Sequence, residues 1–174
     1  MTTLQQRAAL IKLVIFDVDG VLTDRKIYFS DDGREFKAFN SLDGQGIKLL
    51  QQSGVQVAII TARNSPLVAR RMTELGVTLV YQGYADKRSA LNELAQTLSL
   101  SLNQIAYLGD DLPDLPLMRR VGLGIAVSDA CHYVVQHADH VTQAAGGKGA
   151  AREVCELIMQ AQGTWLPACE KYLV

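Results

Sequence analysis

Lys12-Leu13-Val14-Ile15-Phe16-Asp17-Val18-Asp19-Gly20-Val21 is the stretch that decides the fold. Its apolar, partly β-branched run predicts a buried strand, and the run stops abruptly at two aspartates and a glycine. Ligands bind at the carboxyl ends of strands in an open α/β sheet, which makes two acids there a candidate site. The same Asp-x-Asp-Gly pattern also occurs in simple turns and calcium loops. The other strand ends must decide between these readings.

Working outward, Val55 to Thr61 reads as a second buried strand, Leu79 to Tyr81 as a third, Gln104 to Gly109 as a fourth and Gly124 to Val127 as a fifth, with His140-Val141 as a short last one. Between them helices are predicted over Leu42–Gln52 (ended by Gly54), from Pro66 to about Leu75 (Ser65 as N-cap, Gly76 as stop), from Lys87 to about Leu98, near Asp114–Arg120, near Ala130–Gln136, and over Ala150–Gln162. Strands alternating with helices predict a doubly wound, mainly parallel Rossmann-like sheet of the α/β class. Two β-prone runs around Ser30-Asp31-Asp32-Gly33 predict a β-hairpin inserted at about residues 25–39. Its aromatics Tyr28, Phe29, Phe36 and Phe39 are too many for so small a ribbon to bury, and an isolated hairpin is marginal in water. Residues 164–174 read as a tail.

The totals narrow the class. A chain of 174 residues suits one domain, residues 1–174, and 48% apolar with 20% charged residues is ordinary for a soluble globular protein. A net charge of -1 gives no electrostatic reason to expect nucleic acid or an anionic membrane. No apolar run reaches the roughly 18 residues of a membrane span, and the start lacks a signal-peptide layout. Three widely spaced cysteines without a Cys-x-x-Cys predict a reduced, cytoplasmic protein.

In a parallel sheet Asp17, Asp19, Thr61, Lys87, Asp110 and Asp111 all fall on one edge. At ~4 Å and an effective dielectric of ~20, each carboxylate pair repels by about 4 kcal/mol. Either their pKa values rise or a cation sits among them, and hard oxygen donors favour Mg²⁺. Acids with a threonine and a lysine suit phosphate, whose oxygens the cation and the ammonium neutralise while the hydroxyl donates a hydrogen bond. Each residue alone reads as readily as a helix cap or a solvated charge; the set, in this order, does not.

Asp17-Val18-Asp19-Gly20-Val21, Thr61, Lys87 and Gly109-Asp110-Asp111-x-x-Asp114 resemble, in order and at strand ends, the four motifs of haloacid dehalogenase (HAD)-superfamily phosphatases. The resemblance spans about Leu13 to Gln162. It implies Asp17 as the nucleophile that takes the phosphoryl group, and Asp19 as the acid that protonates the leaving oxygen and then activates water. Thr61 and Lys87 would hold the phosphate. Asp17, Asp110 and the Asp19 main-chain carbonyl would bind Mg²⁺, with Asp111 and Asp114 behind them. Acidic neighbours are expected to keep Asp19 protonated near neutral pH.

Neither place where such enzymes insert a roofing cap domain leaves room for one, since the first holds only the hairpin and a helix. With Lys37-Ala38-Phe39-Asn40, Asp43-Gly44-x-Gly46-Ile47 and Gly146-Gly147-x-Gly149-Ala150-x-Arg152-Glu153, the sequence is similar to the capless phosphatases of 3-deoxy-D-manno-octulosonate 8-phosphate. That family implies lipopolysaccharide precursor synthesis, a phosphorylated sugar-acid substrate, and a homotetramer whose neighbouring subunits complete the active sites. Its relatives acting on a nine-carbon sugar acid 9-phosphate tend to carry glutamate where Arg63 stands, so Arg63 favours the eight-carbon substrate. Ala62 departs from a commoner glycine. Arg63 and Arg71 are the guanidinium groups offered to the substrate carboxylate, although Arg70 and Arg71 also read as a solvated helix face.

Gly146-Gly147-Lys148-Gly149 reads as an anion nest, or equally as a turn or subunit contact. The tail could help close a neighbouring site. His132, His137 and His140 lack ligand spacing, and Tyr81 and Trp165 have no evident role. A broader sugar phosphatase, a phosphorylation-dependent receiver module and an inactive oligomeric scaffold remain as alternatives. A receiver normally places its acceptor after the third strand and its lysine after the fifth, which does not fit Asp17 and Lys87.

Overall fold

A computed structural model describes residues 3–173. The chain opens with α1 (Leu4–Ala9), β1 (Leu13–Phe16), the hairpin strands β2 (Tyr28–Phe29) and β3 (Glu35–Phe36), α2 (Ser41–Gln52), β4 (Gln56–Thr61), α3 (Pro66–Leu75) and β5 (Leu79–Gln82). It continues with α4 (Lys87–Thr97), β6 (Ile105–Gly109), α5 (Leu115–Met118), β7 (Leu123–Ala126), α6 (His132–His137), β8 (His140–Val141), α7 (Ala150–Ala161) and α8 (Trp165–Glu170). Six strands form one sheet in the order β5-β4-β1-β6-β7-β8, and every pairing in it is parallel. No described helix is long and apolar enough to cross a membrane.

The predicted architecture is therefore present, and the period of two explains its layers. On β1, Val14 and Phe16 face one way, into a core with Leu50 of α2, Met72 of α3 and Ile158 of α7. Leu13 and Ile15 face the other way, against Leu91 and Leu94 of α4 and Val134 of α6. Alternate residues of β4 and β6 divide likewise, with Ile59 and Leu108 on the first face and Ile60 and Tyr107 on the second. Every residue of β1 is thus buried on both sides, as a central parallel strand requires.

Several local expectations change. The helix α1 was not anticipated; Thr3 and Gln6 close a capping box at its start, and Ala8 anchors it in the core. The hairpin strands pair over only two residues each, Tyr28 with Phe36 and Phe29 with Glu35. Phe39 is not an exposed hairpin aromatic, because it packs against the core of the α2–α3–α7 face. Ser65 stands at the N-cap of α3 without a side-chain capping bond, while Gln82 takes its backbone N–H at 2.8 Å. The tail contains α8, whose Trp165 lies under the Arg152 guanidinium at 5.0 Å.

Candidate active site

Strand β1 lies between β4 and β6, so Phe16 is registered against Ile59 on one side and Leu108 on the other. Asp17 directly follows Phe16, while Thr61 and Asp110 lie two residues beyond Ile59 and Leu108, so all three emerge at the same sheet edge, and the Asp17 N–H donates to the Leu108 carbonyl at 3.1 Å. The chain then curls tightly. The Val18 carbonyl accepts from Val21, Leu22 and Thr23, and Gly20 adopts φ +101°. A Cβ at Gly20 would stand 2.1 Å from Asp110 Oδ2, so only glycine lets this turn pass over that acid.

Lys87 is the first residue of α4, whose N-cap Asp86 accepts from the Arg88 N–H at 3.0 Å. Its buried ammonium reaches Asp17 Oδ1 at 2.8 Å, Asp114 Oδ1 at 2.7 Å and the Tyr107 hydroxyl at 3.2 Å. Burial alone would lower its pKa, but Asp17 and Asp114 outweigh burial and raise it. Oxygens of Asp17, Asp110 and Asp114 lie within 4.8 Å of one another. Burial, then repulsion from Asp114, pushes Asp17 up to about 7 despite Lys87. The same two causes raise Asp110 to about 6, against the pull of Arg25.

Asp114 belongs behind this group rather than in it. Its Oδ1 accepts from Tyr107 Oη at 2.6 Å and from Lys87, and its Oδ2 accepts from the N–H groups of Asp110 and Asp111 at 2.8 and 3.1 Å. Four donors occupy the roughly four acceptor positions of a carboxylate, leaving none for a cation. Asp111 is exposed and caps the 3-10 turn Leu112–Asp114 through the Leu112 N–H.

Asp17, Asp19, Thr61, Ala62, Arg63, Lys87, Asp110, Asp111 and Asp114 line one cavity of about 200 Å³, together with Arg25 and Pro113. Arg71 does not line it. That side chain borders a separate groove with Lys37, Phe39, Leu67, Arg70 and Glu74. Arg63 lines the cavity but is engaged, with Nη2 on Glu35 at 2.9 Å and Nε 3.9 Å from Asp19. The acidic surroundings expected for Asp19 are not its contacts, which are the cations Lys37 and Arg63.

Tyr107, Arg25, Lys37 and Glu35 also contribute to the site, and the sequence pattern assigns them no role. Tyr107 is fully buried, and its hydroxyl pKa is raised far up by burial and by Asp114. Arg25 places Nε 2.8 Å from Asp110 Oδ2, on a backbone at φ +67°. Lys37 has a side chain only 2% exposed, lying between Asp19 and Glu35, so the hairpin is tied to the site by charge. Nor is the Gly146–Gly149 loop an anion nest. Its N–H groups at Gly146, Gly147 and Lys148 already donate to Asp129 Oδ1, the Val21 carbonyl and the Ala145 carbonyl.

Residues 77–154 match the family of haloacid dehalogenase-like hydrolases. The 3-deoxy-D-manno-octulosonate 8-phosphate phosphatase KdsC of Yersinia pestis is 51% identical over 157 residues, covering 90% of this chain and 84% of that protein. The chain belongs to the haloacid dehalogenase-like hydrolases. Among solved structures, a probable YrbI-family phosphatase from Pseudomonas syringae is 55% identical, with a TM-score of 0.97 and 98% and 97% of the two chains covered. The 3-deoxy-D-manno-octulosonate 8-phosphate phosphatase of Moraxella catarrhalis, in complex with magnesium ion, phosphate ion and KDO, is 44% identical, with a TM-score of 0.95 and 97% of each chain covered.

The residues of this hydrolase fit a magnesium ion. Asp17 and Asp110 are buried hard-oxygen donors, and burial raises their pKa for want of enough positive charge. Asp110 Oδ2 accepts from Arg25 Nε at 2.8 Å, so a cation already neutralises this oxygen where the metal would.

Proposed function

We propose that this chain is a Mg²⁺-dependent phosphatase that hydrolyses 3-deoxy-D-manno-octulosonate 8-phosphate to the free sugar acid and phosphate, a step in lipopolysaccharide precursor synthesis in the cytoplasm. One observation carries the reading: Asp17, at the end of the central strand, is 2.8 Å from a buried lysine and shares a cavity with Asp110, Asp19 and Thr61. The likeness to the phosphatases of Yersinia pestis and Moraxella catarrhalis supplies the substrate.

Asp17, Asp110 and the Asp19 main-chain carbonyl would hold Mg²⁺, which supplies positive charge to the phosphate oxygens and favours ionised Asp17. Asp17 attacks phosphorus, and the bond from phosphorus to the sugar C8 oxygen breaks as Asp19 delivers a proton to that oxygen. Water then attacks the aspartyl phosphate while Asp19 takes a proton from it, releasing phosphate and restoring Asp17. Dividing the reaction this way replaces one slow displacement by two easier ones. A positioned general acid contributes typically about 10²–10⁴-fold. Lys87 neutralises the phosphate and holds Asp17, and Thr61 donates a hydrogen bond to the phosphate. Asp114, with Tyr107, holds Lys87 in place, and Asp111 caps the adjoining turn.

The chain acts as one capless domain over residues 1–174, and the open cavity calls for a lid from a second copy. The exposed Tyr28, Phe29 and Phe36 of the hairpin support a homotetramer that supplies it. Arg63 receives the substrate carboxylate by leaving Glu35. Arg71, outside its own chain's cavity, reaches substrate only in such a shared site. The test is phosphate release, with and without Mg²⁺, from the eight-carbon 8-phosphate and the nine-carbon 9-phosphate. Preference for the former by at least about tenfold in kcat/KM is expected. Equal values would remove the Arg63 argument, and no Mg²⁺-dependent release from either would overturn the function. Sedimentation at micromolar concentration should give a tetramer; a fully active monomer would contradict the shared lid.

A further inference from the structure

The loop before α7 packs backbone to backbone on the turn that carries Asp19. A Cβ added at Gly146 would stand 1.8 Å from the Gly20 carbonyl oxygen and 2.6 Å from its carbon. One added at Gly147 would stand 2.6 Å from the Thr23 carbonyl carbon and 2.7 Å from the Asp24 nitrogen. Across the turn, a Cβ at Gly20 would stand 2.1 Å from Asp110 Oδ2. Asp110, the Gly20 turn and Gly146 are therefore stacked with no side chain between them.

This wall is itself anchored. The Gly147 N–H donates to the Val21 carbonyl at 2.9 Å, and Asn40 Nδ2 donates to the Gly147 carbonyl at 3.2 Å. Asp129 Oδ1 accepts from the Gly146 N–H at 2.9 Å. Behind the loop, buried Asp43 accepts from the Arg152 N–H of α7 at 2.8 Å, and Glu153 accepts from the N–H groups of Gln143 and Ala144. Displacing the wall means displacing α7, so the turn yields instead.

We propose that Gly146 and Gly147 are positioning residues for phosphoryl transfer: their bare backbone seats the Gly20–Asp24 turn and thereby sets the distance of Asp19, both its carbonyl and its carboxylate, from Asp110. A methyl group at Gly146 must push Gly20 by more than about 1 Å to reach ordinary contact, and Gly20 itself has no room beside Asp110. Misplacement on that scale costs about 10²-fold in rate. The proposal rests on the site reading above, so it is tested on turnover of a generic phosphomonoester, p-nitrophenyl phosphate, and on Mg²⁺ binding to the metal-stripped full chain.

Gly146 does not have a positive φ, so Gly146→Ala introduces contact without backbone strain. Gly163 has φ +71° with nothing within 4 Å, so Gly163→Ala introduces strain without contact. Gly146→Ala is expected to lower kcat about 100-fold and weaken Mg²⁺ binding at least about tenfold, with KM little changed. Gly163→Ala should stay within about twofold of wild type on all three. Should Gly146→Ala fail to fold, Asp129 gives a test without a clash: Ala and Asn both remove the charge that lies 3.9 Å from Arg25 Nη2, so the difference between them reads the acceptor for Gly146 alone. Asp129→Ala, which removes the acceptor for the Gly146 N–H, should lower kcat and Mg²⁺ affinity several-fold, and Asp129→Asn, which keeps one, should restore both to within about twofold. A folded Gly146→Ala within about threefold of wild type in kcat and Mg²⁺ affinity overturns the proposal. So does an Asp129→Asn as impaired as Asp129→Ala. A wild type that turns over no phosphomonoester would instead overturn the site reading.

Discussion

Replacing Lys87 by methionine keeps the aliphatic bulk of a buried side chain and removes its charge. The ammonium lies 2.8 Å from Asp17 and 2.7 Å from Asp114, both buried, so two carboxylates lose their shared partner at once. Breaking a buried pair by removing one member costs about 3–5 kcal/mol, because the remaining charge stays uncompensated. For a chain of this size that is a fall in Tm of about 6–20 °C. The loss should depend on pH, and its sign follows from Asp17. That group is already pushed up to about 7 by burial and Asp114. A carboxyl raised in the folded state contributes stability that is complete below its ordinary value near 3.8 and is lost as pH rises through the raised one. Without Lys87 the Asp17 carboxyl rises further, so the deficit should be smaller near pH 5, below the raised Asp17 value, than near pH 8. Lys87 itself, raised from 10.5, remains charged throughout that window, which assigns the difference to the carboxylates. Urea denaturation of both proteins in chelator at the two pH values measures it, and Asp114→Asn in the variant should recover part of the loss. A deficit below about 1 kcal/mol at pH 8, or one equal at both pH values, would refute the pairing argument.

Two further outcomes concern the cation. Arg25 sits 2.8 Å from Asp110 at φ +67°, a backbone conformation that costs a non-glycine residue roughly 1–2 kcal/mol. Arg25→Gly relieves that strain and removes a cation that Mg²⁺ must displace, so calorimetric titration at pH 8 should show Mg²⁺ binding about tenfold tighter; unchanged or weaker binding would contradict the competition. Because Asp17 and Asp110 are raised to about 7 and about 6, Mg²⁺ must also displace protons in this range. Apparent affinity should fall about twentyfold as pH drops from 8 to 6, about tenfold through Asp17 and about twofold through Asp110, and titrations in buffers of different ionisation enthalpy should detect the release; pH-independent affinity would exclude it.

What could be read from the residues was local. Apolar runs ending in acids located β1 and β6, because a strand and its next turn are set by neighbours in sequence, while the place of Asp114 behind Asp110 came from the family resemblance. Ion pairs across long separations carry no such signal. Arg25 meets Asp110 and Lys37 meets Asp19 only because the hairpin folds back over the sheet edge. Tyr107 reads as one more buried strand residue until its hydroxyl is seen on Asp114. Two misses did leave marks. Thr3-x-x-Gln6 is a capping box, and Pro167 falls in the first turn of α8, where proline is tolerated. The glycines before α7 showed as a motif, but the turn they press on begins 126 positions earlier, at Gly20.

Asp17 as the group that attacks phosphorus is tested most directly by steady-state phosphate release from 3-deoxy-D-manno-octulosonate 8-phosphate by Asp17→Asn at saturating Mg²⁺. Asparagine keeps the shape and removes the nucleophilic charge. Turnover at least about 10³-fold below wild type is predicted, with the fold intact. Turnover within about tenfold of wild type would contradict the account.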